Sequence, residues 1–169
     1  AFEAAWMAHA ITDGLTPAHH FPLEQAMAEL RGGEGLETRT SILKKNLMKG
    51  DNGIELIKNN WKFWGAKGMM TTHVAFEAGV ASVVAYPRFK DAIPRRDEIL
   101  QVKNHGYREY YLDQVHAVAS MKMYDNFSKS GWTTDLAWQT NHELMPIIIK
   151  SVMLGWLASI WKLEAEKSE

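Results

Sequence analysis

The sequence predicts an all-α fold, and two observations carry that prediction. Apolar residues recur at helical spacing along most of the chain. No alternating apolar and polar run of strand length appears, and the Asn-Gly pair at residues 52–53 lies between helical patterns instead of joining two strands. We therefore expect a compact multi-helix arrangement.

Composition bounds the class of protein. The chain has 169 residues, of which 46% are hydrophobic and 23% charged, which predicts one folded domain over residues 1–169. A net charge of −1 argues against a surface built mainly to bind phosphate backbones. The absence of cysteine excludes disulfides, thiolate zinc sites and cysteine nucleophiles. The longest run without Asp, Glu, Lys or Arg spans eleven residues, 151–161, so no transmembrane segment is predicted.

The first third of the chain predicts helices separated by glycine and proline. An alanine-rich run over residues 2–11 has no helix breaker before Gly14. Pro22 opens a second helix, which the pair Gly32-Gly33 ends. Residues 32–53 are rich in glycine around a basic amphipathic core and predict a flexible insertion with a short helix.

The remaining helices follow the same start and stop signals. Residues 54–63 form an amphipathic pattern, and the helix that ends at Pro87 is apolar all round, so we expect it to be buried. The longest helical pattern covers residues 95–128, with Gly106 as a weak point. A final helix, capped by a threonine, is expected to kink or divide at Pro146.

Two histidine–carboxylate pairs predict metal-ligand chemistry on helices expected to be buried. His9 and Asp13 are four residues apart, as are His73 and Glu77, so each pair projects from one helix face. A glycine and a proline after Asp13 turn the chain, so that His19 or His20 approaches the first pair from a loop. Such nitrogen and oxygen donors suit zinc, and iron or manganese also fit.

A purely structural interpretation stays open beside this one. Single pairs at this spacing commonly form hydrogen bonds or ion pairs on a helix surface. Two buried pairs can also satisfy each other without a metal ion.

Taken together, the spacing of His9-x3-Asp13-x5-His19 followed by His73-x3-Glu77 resembles the metal-binding core of the zinc-dependent phospholipase C and single-strand-specific nuclease family. The resemblance implies an all-α protein holding up to three zinc ions. It implies that His9 is a zinc ligand and that Asp13 bridges two zincs. It also implies that His19, His73 and Glu77 surround the remaining zinc, with Asp13 and Glu77 as the catalytic carboxylates.

The same resemblance implies a function. The chain would be a hydrolase of phosphate esters, acting on phospholipid or nucleic acid through metal-activated water, and would be secreted or periplasmic. Zinc would be its cofactor, in one to three copies.

The chain departs from the family pattern in two places. Eight residues precede His9, and they contain none of the histidine and aspartate ligands that the family places there. More than fifty residues, from His20 to Thr72, separate the two halves of the motif, where family members have a short link.

Three explanations are open for the missing ligands. The chain is the C-terminal part of a longer protein, a reduced homologue with a single site, or a protein in which later residues substitute. The candidate substitutes are His105, Asp113, His116, His142 and Glu143. The alternative function is a non-catalytic helical binding or assembly module that retains one structural metal or none.

Overall fold

A computed structural model describes residues 1–166, apart from the side chain of Leu36. Residues 167–169, which the single-domain prediction includes, lie outside the described residues. The all-α prediction is confirmed, because residues 1–166 form helices and turns without a strand. The α-helices, in chain order, are α1 (Phe2–Gly14), α2 (Leu23–Leu30), α3 (Ile42–Asn46), α4 (Gly53–Trp64), α5 (Met69–Val84), α6 (Arg96–His105), α7 (Tyr107–Met121), α8 (Met123–Ser130), α9 (Thr134–Gln139) and α10 (Met145–Glu166).

The helices divide between two compact units. The first unit contains residues 1–20 and the chain from residue 80 onward, and the second contains residues 21–79. Single turns of 3-10 helix connect several helices, at Pro17–His20, Leu36–Thr38 and Lys90–Ala92.

The first unit is organised around α10. Its fully buried Leu154 packs in one cluster with Val102 of α6 and Tyr110 of α7. Helix α1 crosses the same helix, and the indole of Trp156 donates a hydrogen bond to the Ala4 carbonyl at 2.9 Å. Burial raises the pKa of the Tyr110 phenol to about 12, which keeps this core side chain neutral at physiological pH.

A glycine permits the close contact between α1, α7 and α10. A β-carbon at Gly155 would lie 2.9 Å from Cδ1 of Ile11 and 3.1 Å from the hydroxyl of Tyr107. That same hydroxyl donates to the Ser151 carbonyl at 2.9 Å. Helices α1, α7 and α10 therefore approach one another closely at Gly155, where a larger side chain would not fit.

The second unit has a small core of its own. Met27 of α2, Met48 and Phe63 of α4 are buried together, with Leu23, Leu30, Met69 and Met70 packed around them. The side chain of Asn60 holds the backbone of residue 48 from both sides, accepting from its N–H and donating to its carbonyl at 3.0 Å each. The short helix α3 lies within the glycine-rich segment 32–53.

The long helical pattern of residues 95–128 is divided in two places. Gly106 adopts φ +89° between α6 and α7, as its position in the sequence predicts. Lys122 adopts the left-handed φ of +52° between α7 and α8, a break that the sequence analysis did not predict. Lysine has no intrinsic preference for that conformation, so only packing accounts for it.

Pro146 divides the last helix through a widened turn. Residues 140–144 form a π-helical turn, in which the N–H of Met145 donates to the Thr140 carbonyl five residues earlier. Pro146 has no N–H to return to residue 142, and the wider turn accommodates that missing bond. Thr133 caps the start of α9 by accepting from the N–H of Leu136 at 3.2 Å.

Helix α5 is less buried than its all-round apolar pattern predicts. Phe76 is fully buried, but the side chain of Val74 is 52% exposed. Five of the sixteen residues of the helix are alanine, glycine or serine, which have little side-chain area to bury.

One helical stretch, Thr134–Glu166, is long and apolar enough to cross a membrane by length and composition. Twenty-eight per cent of its most apolar window is buried inside the protein. Core helices of soluble proteins also meet this criterion.

Truncation of the central side chain of α10 tests the core of the first unit. We expect Leu154→Ala to lower the free energy of unfolding by about 2–5 kcal/mol, because a cavity replaces a fully buried side chain. Leu163→Ala is the matched control on the same helix, where the leucine is 56% exposed, and we expect a change below about 1 kcal/mol. Urea unfolding followed by circular dichroism measures both. Equal losses from the two variants would contradict this core assignment.

Candidate metal site

The end of α1 presents the first histidine–carboxylate pair. Nε2 of His9 lies 3.2 Å from Oδ2 of Asp13, as the spacing of four residues predicts. The two side chains are 65% and 44% exposed, so this pair faces solvent more than the apolar helix suggested. Alanines occupy much of the helix around them and cover little of a neighbouring side chain.

The turn after α1 brings two further histidines back toward its end. Leu15 and Ala18 are fully buried and anchor the turn, so His19 and His20 are carried by a fixed backbone. The ring of His20 bonds to the Gly14 carbonyl through Nε2 at 2.9 Å. The glycine and proline that follow Asp13 therefore return the chain to the same helix end, as the sequence predicts.

His19 contacts the same aspartate as His9. Its Nδ1 lies 3.1 Å from the backbone carbonyl of Asp13 and 3.8 Å from Oδ1 of the Asp13 side chain. When Nδ1–H donates to the carbonyl, the neutral ring carries its lone pair on Nε2. A backbone carbonyl that orients one ring nitrogen is the usual support of a metal-binding histidine.

Tyr111 of α7 lies beside this group, and the sequence analysis did not identify it. Its hydroxyl lies 3.5 Å from the Ile11 carbonyl, and a β-carbon at Gly14 would lie within 1.9 Å of the same hydroxyl. Burial raises the pKa of Tyr111, and the negative charge of Asp13 raises it further. The phenol is therefore neutral, and its hydroxyl donates toward the Ile11 carbonyl. Its only sequence signal is a position in a tyrosine-rich stretch of α7.

An apolar recess adjoins His9 on the N-terminal side. It has a volume of about 320 Å³ and is lined by Phe2, Ala5, Trp6 and His9. The edge of Trp6 meets the imidazole of His9 with ring centroids 5.9 Å apart. The recess gives the His9 side of the site an aromatic wall, which the sequence analysis also did not identify.

The second pair lies on α5. Nε2 of His73 is 3.1 Å from Oε1 of Glu77, again one helical turn apart. The His73 side chain is 13% exposed and that of Glu77 is 43% exposed. His73 is thus the most buried of the four paired side chains, and its carboxylate partner extends toward solvent.

The predicted ligands belong to two different compact units. His9, Asp13 and His19 belong to the first unit, where both histidines contact the aspartate. His73 and Glu77 belong to the second unit, where they contact each other. The convergence of all five residues stays a prediction.

His142, one of the candidate substitute ligands, contacts a residue one helical turn earlier in the chain. Its ring stacks on Trp138 with centroids 4.7 Å apart, and Nδ1 contacts the Trp138 carbonyl at 2.9 Å. The neighbouring Glu143 accepts a hydrogen bond from Gln139 at 2.9 Å. These contacts explain both side chains as parts of the π-helical turn.

Comparisons with models of protein families, with curated proteins and with solved structures find no match to this chain.

A double-mutant cycle tests the contact between Gly14 and Tyr111. We expect Gly14→Ala to destabilise the protein by about 1–3 kcal/mol, because the new methyl group overlaps the phenol oxygen. In a Tyr111→Phe background the oxygen is gone and the nearest ring atom, Cζ, lies 3.2 Å from the new methyl group, so the same Ala substitution should cost at least ~1 kcal/mol less than in the wild type. Thermal unfolding of the four proteins measures the cycle. An equal loss in both backgrounds would contradict this placement of Tyr111.

Proposed function

We propose that this chain binds zinc through its two histidine–carboxylate groups and hydrolyses phosphate esters. The observation that carries the proposal is the group at the end of α1, where two imidazoles contact one carboxylate. Nε2 of His9 and Nδ1 of His19 lie 3.2 and 3.8 Å from the two oxygens of Asp13. With Nδ1–H of His19 held by the Asp13 carbonyl, the two imidazoles and the carboxylate offer nitrogen and oxygen ligands of the kind that a divalent cation takes.

The residue types of the group fit zinc. Imidazole and carboxylate bind zinc well, and the sequence has no cysteine to offer a softer alternative. Solvent reaches Asp13, which is 44% exposed, so an ion held there can keep a position for water or substrate. His73 and Glu77 offer the same two ligand types.

The chain's own residues would act by positioning and proton transfer. The Asp13 carbonyl orients the imidazole of His19. Asp13 and Glu77 are the carboxylates available to accept a proton from an attacking water. A bound zinc ion would lower the pKa of a water ligand and would polarise the phosphoryl oxygen of the substrate.

The choice of phosphate esters rests on the family that the motif resembles. Phospholipids and nucleic acids are the two substrate classes that this family implies. The aromatic recess beside His9 suits an apolar or planar substituent of either.

Metal content measured by elemental mass spectrometry is the first test. We expect the wild-type chain, purified without chelator, to contain one to three zinc ions. Two double variants, His9→Ala with Asp13→Ala and His73→Ala with Glu77→Ala, should each lose zinc, because each removes a nitrogen and an oxygen ligand. His142→Ala is the histidine control and should keep the full content, since its ring serves helix packing. A wild-type protein without metal would overturn the proposal.

Hydrolysis of a chromogenic phosphodiester tests the activity. We expect turnover that chelation abolishes and added zinc restores. Asp13→Asn should lower the rate about 100-fold or more, because the amide neither accepts a proton nor carries the ligand charge. Vesicles of phosphatidylcholine and single-stranded DNA then separate the two substrate classes. Bound zinc without hydrolysis of any of the three would instead assign the chain as a helical binding module with a structural metal.

A further inference from the structure

The second unit contains a cationic cavity that the metal site does not involve. It has a volume of about 250 Å³ and lies between the end of α2 and helix α3. Its polar lining consists of Arg31, Glu34, Thr38, Lys44 and Lys49. Three of these side chains are cations and one is a carboxylate.

Arg31 is the unusual member of this lining. It is only 5% exposed, and Nη2 donates to the Lys45 carbonyl at 2.7 Å. Its buried Nε–H has no hydrogen-bond partner among the described residues. A buried donor of a charged group without a partner is costly, so this geometry favours an acceptor that arrives from outside the chain.

A second buried guanidinium increases the positive potential at Arg31. Arg39 is 7% exposed, and its Nη2 pairs with Oε2 of Glu24 at 3.2 Å. Burial lowers the pKa of Arg31 and repulsion by the charge of Arg39 lowers it further, while the charges of Glu34 and Glu24 raise it. An anion near Arg31 would relieve that repulsion.

Two cationic side chains of this region have no ion-pair partner among the described residues after the carboxylates have been paired. Glu24 pairs with Arg39, and Glu34 pairs with Lys49. Within residues 1–166 no ion pair engages Arg31 or Lys44, both of which line the cavity. A ligand with two negative charges would match this excess.

A neighbouring cavity of about 500 Å³ shares Arg31 but has the opposite character. Its lining adds Glu29, Asp51 and Glu55 to Glu34, and these acids outnumber the lining cations Arg31 and Lys49. An anion therefore favours the smaller cavity.

We propose that the smaller cavity binds a phosphate dianion, either inorganic phosphate or the phosphate group of a monoester. Arg31 supplies the planar guanidinium that suits phosphate oxygens, and Lys44 supplies the second charge. The Thr38 hydroxyl lines the same cavity and donates within the chain, to the Gly35 carbonyl at 3.0 Å or to Oε2 of Glu34 at 3.4 Å. Glu34 occupies this position as an internal counter-ion, so phosphate binding competes with it.

Phosphate titration of the full-length chain, followed by calorimetry in a phosphate-free buffer with chelator, tests this site. The chelator removes any metal-bound phosphate, so the result is independent of the proposed hydrolase function. We expect saturable binding of one phosphate. Titrations with glycerol 3-phosphate and with inorganic phosphate then show which form binds more tightly.

Matched variants distinguish phosphate binding in the cavity from attraction of phosphate by the net charge of the protein. We expect Lys44→Gln to weaken phosphate binding about fivefold, while Lys45→Gln, the adjacent lysine that does not line the cavity, should change it less than about twofold. Glu34→Gln should tighten binding about fivefold, because it removes the competing carboxylate, and Glu37→Gln is its control. All four positions are partly or fully exposed, so folding is not at risk.

Two results would overturn the proposal. One is the absence of saturable phosphate binding to the wild-type chain. The other is an equal effect of the two lysine variants together with an equal effect of the two glutamate variants, because only net charge would then matter.

Discussion

The close approach of α1, α7 and α10 is the constraint on which the first unit depends. It is possible because residue 155 is a glycine, where a β-carbon would meet Ile11 of α1 and Tyr107 of α7. Trp156 and Ser159 then bond to the backbone carbonyl of Ala4 and the sulfur of Met7, which fixes α1 along α10. A helix that packs by such contacts needs no wide apolar stripe, which explains how the alanine-rich α1 is held.

The fixed position of α1 determines where its proposed metal ligands lie. Asp13 lies at the end of that helix, and backbone carbonyls of residues 13 and 14 orient the rings of His19 and His20. Orientation by carbonyl groups requires no change in the fold when an ion binds, which lowers the entropic cost of binding. The packing of α1 therefore also determines the positions of the Asp13, His19 and His20 side chains.

The second unit shows how burial can bring two cationic side chains together without a sequence motif. Arg31 and Arg39 are isolated basic residues in a glycine-rich segment, and nothing in their spacing indicates a shared environment. The fold buries both of them and leaves one Nε–H on each without a partner. Such a cost is tolerated where a ligand or a function offsets it.

The sequence by itself determined the helical class, several helix boundaries and the two local histidine–carboxylate pairs. These features depend on residues within one or two turns of each other, such as His9 with Asp13 or Thr133 with the N–H of Leu136. Only the tertiary structure decided the break at Lys122, the partial exposure of α5 and the approach of Tyr111 to Gly14. Each of these reflects contacts between residues far apart in the chain, which periodicity and capping signals do not encode.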